Sequence, residues 1–387
     1  MKNIFINRDS AARAQRPRTK FTITGSQISA ACLSLLLILL LAGGTTVAAR
    51  QASQQQPASK QEASAPADSS VAASRPSAQS AIGANPASAA AMVTEFDVNG
   101  LKVLVKRRAG SQTVAAGLFL RGGSRNLTAQ NAGIEAFMLD VSSEASANYP
   151  RERMRTELAR MGTVIGYGVQ YDYSALSLRC TRLNFDHSWD IFTDVALRPT
   201  FSPEDVELVR NRLIASLRDE GDDPDSYLEL LQARAAYMGH PYLNRPQGTA
   251  ETISHITVND LRRYHQQMME TSRLLLVIVG DLDAATLHER IAASFGRLPR
   301  GDYHAQPPPQ LSFTAPSVEV TAERLPTNYV QGLFAAPPLT SPDIYPMRVA
   351  SSILYQRIFQ EVRVRRNLSY APNAFLGSQA QTSAVFT

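Results

Sequence analysis

From residue 93 onward, the apolar positions fall into short blocks whose period switches between two and about 3.6. Residues 95–98 and 101–106 alternate, and Asn99-Gly100 between them predicts a type I′ hairpin. Residues 113–120 predict a third strand. Residues 131–141 predict a helix with Ile134, Phe137, Met138 and Val141 on one face. Pro150 opens a second helix through Arg160, and the alternation of Tyr171, Tyr173, Ala175, Ser177 and Arg179 within 163–182 predicts two more strands. Three helix starts follow, at Ser202-Pro203-Glu204-Asp205, at Asp223-Pro224, and at Thr257 with Asp260. Residues 274–279 are a continuous apolar strand ending in Gly280-Asp281, and 284–293 predict a closing helix. Antiparallel hairpins mixed with helices fit an α+β fold better than a doubly wound sheet.

Pro307-Pro308-Pro309 marks a linker, placed at 306–316. Beyond it the order restarts with a strand near Val318, a strand over 329–335, and a helix capped at Ser341-Pro342-Asp343. The same order of elements twice predicts a duplicated domain, the first copy at 93–305 and a partial second at 317–387. The second copy is short and the sequence stops within an apparent strand, Ala384-Val385-Phe386, so it reads as a fragment of a longer chain.

The first 92 residues have a different character. A basic stretch precedes an uncharged run over 28–42, nearly pure leucine at its centre, and small residues around Val47-Ala48-Ala49 follow. This is the pattern of a secretory signal over 1–49, cleaved after Ala49, or of an uncleaved anchor. Either way the remainder is exported, to the periplasm or tethered to the outer face of the inner membrane. Residues 50–92 are almost wholly Ala, Ser, Gln and Pro, which predicts a disordered tether with a root-mean-square span of about 35–40 Å.

Charge and cysteine usage narrow the function classes. Of 39 basic and 34 acidic residues, six basic ones and a single acid lie in 1–49, which leaves the remainder neutral. That gives no electrostatic case for nucleic acid. The two cysteines, Cys32 and Cys180, exclude a disulfide framework, and Cys180 reads as a small buried strand residue. The composition, 44% hydrophobic and 19% charged, is that of a globular protein.

Several blocks then point to one family. Gly123-Ser124-Arg125-Asn126 followed by Asn131-Ala132-Gly133-Ile134 resembles the approach to the active-site helix of the insulinase-like (M16) zinc peptidases. Asp222-Asp223-Pro224, His240-Pro241-Tyr242, Gly248-Thr249, Val279-Gly280-Asp281 and the block over 359–370 resemble the same family in order and spacing. The resemblance implies duplicated M16-type domains, each a mixed, largely antiparallel sheet flanked by helices, the second copy truncated at the chain end. It also implies a clamshell that closes on peptide.

The family's catalytic helix carries His-x-x-Glu-His after Gly-Ile-x. Two His at i and i+4 share a helix face and bind zinc, and the Glu activates water. Here those positions hold Ala136, Leu139 and Asp140, and the later Glu ligand aligns with Ser216. All four required side chains are lost, so no metal site and no bound cofactor are expected, although active members carry zinc. The six His show no ligand spacing, and His240 reads as a hydrogen-bonded structural residue. Asp140 reads as a polar residue at a cleft edge, and Asp140 with Glu144 as a solvated acidic face that could share a hard cation weakly. In the family's second half, an Arg and a Tyr seven residues later contact peptide, and the Tyr stabilises the developing oxyanion. Arg363 and Tyr370 match that pair, while Arg365 and Arg366 read as solvated.

The resemblance therefore implies a non-catalytic subunit. It would bind peptide or unfolded polypeptide through Arg363 and Tyr370 and complete the site of a zinc-bearing M16 partner outside the cytoplasm. Membrane contact would come only through the N-terminal signal or anchor. The alternatives are an active zinc metalloendopeptidase with ligands not recognised in the sequence, and a non-enzymatic extracytoplasmic scaffold.

Overall fold

A computed structural model of the protein describes residues 2–7, as backbone, and 93–387 apart from 314, 324 and 326. Lys2–Asn7 form strand β1. The rest of the signal or anchor reading, and the linker reading of 50–92, lie outside the described residues.

The first hairpin joins β2 (Val93–Val98) to β3 (Leu101–Arg107). Asn99 and Gly100 have φ of 53° and 87°, the pair of positive values that a type I′ turn requires. With β4 (Thr113–Arg121), β5 (Val164–Val169), β6 (Tyr173–Thr181) and β7 (Leu274–Gly280) they form a six-stranded sheet of order β2-β3-β7-β4-β6-β5. Only β3 and β7 pair in parallel. Between the strands run α1 (Ile134–Ser142), α2 (Arg151–Met161), α3 (Phe185–Leu197), α4 (Pro203–Asp222), α5 (Pro224–Tyr237), α6 (Ala250–His255) and α7 (Val258–Met268). Helix α8 (Ala284–Ala293) follows β7.

The helix starts follow from side-chain chemistry. Ser202 accepts from the Asp205 amide, Asp223 accepts from the Ser226 amide, and Thr257 and Asp260 form a reciprocal box. Each such cap is worth about 1 kcal/mol. The main core lies between this sheet and its helices, with Leu118, Leu120, Phe137, Met138, Phe192, Leu276 and Phe295 fully enclosed. Cys180 is buried in β6, where burial pushes its thiol up.

The second sheet contains β8 (Ser317–Ala322), β9 (Tyr329–Ala335), β10 (Ala374–Leu376) and β11 (Ser383–Phe386), in the order β10-β11-β9-β1-β8. Strand β1 runs parallel to β8 and antiparallel to β9. In the first sheet β7 has the same relation to β3 and β4. Both sheets thus share one central pattern, and α9 (Ile344–Ile358) follows β9 as α1 follows β4. The fold is α+β and duplicated.

Three local differences from the sequence expectation have physical causes. Helix α1 begins at Ile134 rather than 131, because Gly133 caps it in the left-handed region at φ 88°. Helix α9 begins at Ile344 after a turn, and its cap residue Asp343 makes no side-chain hydrogen bond. Helix α3 is not anticipated: Asn184 makes no side-chain cap, and Asp186, Asp190 and Asp194 lie on a different face from Phe185, Trp189 and Phe192.

The two sheets are joined through α5, which packs on β9, and through a partly buried carboxylate. Asp172, in the turn before β6, accepts from the Tyr242 hydroxyl at 3.0 Å and the Ala380 amide at 2.7 Å. Arg125 lies 3.3 Å from the same carboxylate, and the Gln381 amide donates to the Tyr242 hydroxyl. Tyr242 is fully buried and packs with Tyr237, Leu333 and Val385. His240 holds this corner, accepting from the Tyr242 amide through Nδ1, with Nε2 3.0 Å from the Pro309 carbonyl.

Candidate functional site

Helix α1 is reached through a tight crossing of two glycines. A Cβ on Gly133 would meet the Gln247 carbonyl oxygen at 2.7 Å and Gly248 Cα at 2.9 Å. The crossing seats the helix so deeply that every residue from Ile134 to Ser142 is buried. Ala136 and Leu139 are buried apolar side chains, and Ser216 is exposed on α4.

Asp140 is buried as well, and its carboxylate is occupied. Arg212 of α4 donates through Nη2 to Asp140 Oδ1 at 2.7 Å and lies 3.0 Å from Glu144 Oε1. The other Glu144 oxygen, Oε2, lies 3.1 Å from Arg155 Nη2 and 3.5 Å from Arg151 Nε, both of α2. Arg151 also pairs with Asp205 at the start of α4. Burial pushes the Asp140 carboxyl up, and Arg212 and the neighbouring Tyr167 hydroxyl pull it back. The expectation of a solvated acidic face at Asp140 and Glu144 is therefore corrected: both carboxylates are buried and compensated by three arginines.

Zinc requires nitrogen, sulfur or carboxylate donors at about 2.0–2.3 Å. Ala136 and Leu139 supply none, Ser216 supplies a neutral hydroxyl, and Asp140 already serves a guanidinium. The residues present do not fit the zinc of the family's active members. Among the described residues, no group of three or more His, Cys, Asp or Glu side chains is placed to hold a metal ion.

Sequence reasoning passed over Glu135, whose side chain is fully buried and accepts from the Tyr264 hydroxyl at 2.5 Å. Burial raises its carboxyl, and the Ser174 and Tyr264 hydroxyls and the Arg273 charge act against that. A carboxyl enclosed within the core next to the motif positions ties α1 to α7 rather than facing a cleft. It also passed over Arg212, although that residue lies one helical turn before Ser216.

The second-half pair is brought together. After α9 the chain makes a π-helical turn over Phe359–Arg365. The Arg363 guanidinium sits over the Tyr370 ring, 4.2 Å from its centroid, and donates to Asn367 Oδ1 at 2.6 Å. Such stacking restrains a long cationic side chain against the ring. Tyr370 is 83% exposed and lines a cleft of about 790 Å³ between α9 and β10, with Arg348, Tyr355, Phe359 and Phe375. Arg365 and Arg366 are exposed as expected, but each pairs with Glu361, at 3.2 Å and 2.7 Å.

Two related α+β sheets, and a buried helix in the place of a zinc-binding one, define a metallopeptidase-like protein. The family model described as Insulinase (Peptidase family M16) matches residues 102–249, and that described as Peptidase M16 inactive domain matches 255–387. The chain belongs to this family.

Over 205 residues it is 23% identical to mitochondrial-processing peptidase subunit beta of Caenorhabditis elegans, covering 53% of this chain and 44% of that one. Over 266 residues it is 22% identical to cytochrome b-c1 complex subunit 1 of Bos taurus, covering 68% of this chain and 55% of that one. The chain thus spans about half the length of these curated relatives. Among solved structures, a protease from Helicobacter pylori is similar with a TM-score of 0.66 at 17% identity, over 76% of this chain and 74% of that one. A peptidase M16 inactive domain from Pseudomonas fluorescens gives 0.64 at 19%, over 76% and 73%. The periplasmic protease PqqL from Escherichia coli gives 0.58 at 15%, over 76% and 35%. At these identities the likeness shows the fold alone.

Proposed function

We propose that this chain is a non-catalytic M16 subunit that binds peptide or unfolded polypeptide and presents Arg363 and Tyr370 to the active site of a zinc-bearing partner outside the cytoplasm. The observation that carries the reading is an asymmetry between the halves. The helix that would hold zinc is sealed by apolar side chains and an ion-pair network. Tyr370 of the stacked Arg363–Tyr370 pair stands exposed on a cleft.

The chemistry of the pair suits that role. An exposed phenol O–H donates to a carbonyl oxygen as negative charge develops there, and a guanidinium adds a second, charge-assisted donor. Asn367 accepts from Arg363, and the Arg363 guanidinium stacks on the Tyr370 ring, which supports the two groups acting together on a substrate. The names of two relatives, a processing-peptidase subunit and a complex subunit, support assembly with a second chain. The leading basic and apolar pattern supports export, as does the likeness to a periplasmic protease.

The test is binding of a fluorescein-labelled unfolded polypeptide, followed by anisotropy. The intact chain is expected to bind it, and Arg363→Ala to weaken binding by about tenfold, roughly 1.4 kcal/mol. Equal affinity in the two proteins would remove the pair from peptide recognition and leave a scaffold role.

A further inference from the structure

The second sheet is completed by a strand from far outside the second copy. Strand β1 lies between β8 and β9. It is in register with β8 from Lys2 opposite Ser317 to Asn7 opposite Ala322, and with β9 from Lys2 opposite Leu333 to Ile6 opposite Tyr329. In the first sheet the same place, between β3 and β4, is taken by β7, which belongs to the first copy itself. Among the described residues of 317–387 no strand lies between β8 and β9, and β8 pairs with β1 alone. Neighbouring strands sit about 4.8 Å apart, so β8 and β9 stand about 10 Å from each other, and their facing N–H and C=O groups need a strand between them. Helix α5 packs on both β1 and β9 and so backs the slot. The segment Lys2-Asn3-Ile4-Phe5-Ile6-Asn7 suits a central strand, with strong strand formers at its centre and no proline.

The same residues precede the apolar run over 28–42 and the cleavage position after Ala49. Export with cleavage takes β1 away from the sheet. An uncleaved anchor does so too, because it keeps residues 2–7 on the other side of the membrane. The exported domain then carries two facing, unpaired strand edges, which are a template for an added strand. We propose that the space between β8 and β9 is a strand-acceptor site, closed by residues 2–7 before export and open afterwards to an extended segment of another polypeptide, which pairs antiparallel to β9 and parallel to β8. Main-chain hydrogen bonds on both sides give affinity, and a run of apolar strand formers like Ile4-Phe5-Ile6 gives preference. This rests on the export part of the proposed function and deepens its polypeptide-binding part. It needs nothing from Arg363 or Tyr370.

The experiment follows the anisotropy of a fluorescein-labelled peptide with the sequence of residues 1–8, added to the full chain. In the wild type the tethered strand competes at high effective concentration, so the labelled peptide is expected to bind weakly. The double variant I4P/F5P removes two consecutive ladder donors from β1, one toward each neighbour, and is expected to bind the peptide about tenfold more tightly or better. A full chain with a specific protease sequence inserted after Ala49, folded intact and then cut, carries the same test if the proline variant folds poorly, and cutting is expected to produce the same rise. A peptide with proline at both positions is expected to bind none of these proteins. Adding Arg363→Ala to I4P/F5P is expected to leave the affinity unchanged, which separates the slot from the Arg363–Tyr370 cleft. The proposal is overturned if the peptide binds the wild type and the opened chains alike, if neither opened chain binds it, if the proline peptide binds as well, or if Arg363→Ala abolishes the binding. Neither way of opening the slot uses export, a partner or zinc, so failure of the proposed function registers separately.

Discussion

Tyr370→Phe is expected to lower kcat of a reconstituted pair, this chain with a zinc-bearing M16 partner, by about 10²-fold on a fluorogenic peptide, with KM nearly unchanged. The substitution removes one hydroxyl and keeps the ring on which Arg363 stacks at 4.2 Å. In the proposed role the hydroxyl donates to charge that exists only as the tetrahedral species forms, so its loss is expected to raise the barrier without loosening ground-state binding. Arg363→Ala is different, because it removes both the proposed peptide contact and the guanidinium stacked on the Tyr370 ring, and kcat and KM should both suffer. Titration of the rate against added chain, wild type and variant, separates a catalytic loss from failed assembly. A Tyr370→Phe pair that turns over at the wild-type rate would remove the hydroxyl from the chemistry.

Gly133→Ala is expected to be the most damaging of the single substitutions considered, at about 3–4 kcal/mol, or about 6–12 °C in Tm. Two costs combine. The residue sits at φ 88°, where an L side chain is strained by about 1–2 kcal/mol. The new Cβ would also press on the Gln247 carbonyl oxygen at 2.7 Å and Gly248 Cα at 2.9 Å, both backbone atoms that no rotamer change can move. Gly162→Ala supplies the comparison: φ there is 61°, and a Cβ would meet nothing within 4 Å. The difference between the two variants in chemical denaturation isolates the steric part. Equal losses would show that the crossing of Gly133 and Gly248 yields easily, and that α1 is not fixed by it.

The parts of the structure visible in the sequence are those governed by local rules. Asn99-Gly100 is a turn because only such residues accept two positive φ values, and Ser202, Asp223 and Thr257 cap helices through amides a few residues away. The emptied motif at Ala136, Leu139 and Asp140 was legible through the resemblance, because Gly133-Ile134 places the family's His-x-x-Glu-His on those positions. What joins distant segments was not legible. The charge on Asp140 and Glu144 looked solvated because Arg212 lies on another helix, 72 residues from Asp140. Asp172 gave no sign that it gathers Tyr242, Ala380 and Arg125 around one carboxylate between the sheets. Strand β10 has three residues and exists through its pairing with β11, a partner that only the fold supplies. The Arg363–Tyr370 contact lies between these cases: the resemblance of the block over 359–370 suggested the pair, and the π-helical turn with Asn367 brings it together.

The central claim is that the zinc position of this family is not a metal site in this chain, and zinc content measures it most directly. The full chain is purified, dialysed briefly against metal-free buffer, and assayed for zinc per mole of protein by atomic emission. Less than about a tenth of an equivalent is predicted, because no nitrogen, sulfur or free carboxylate donor stands at positions 136, 139, 140 and 216. Close to one equivalent, with peptide cleavage that disappears on chelation, would contradict the account and place a working metal centre elsewhere in the protein.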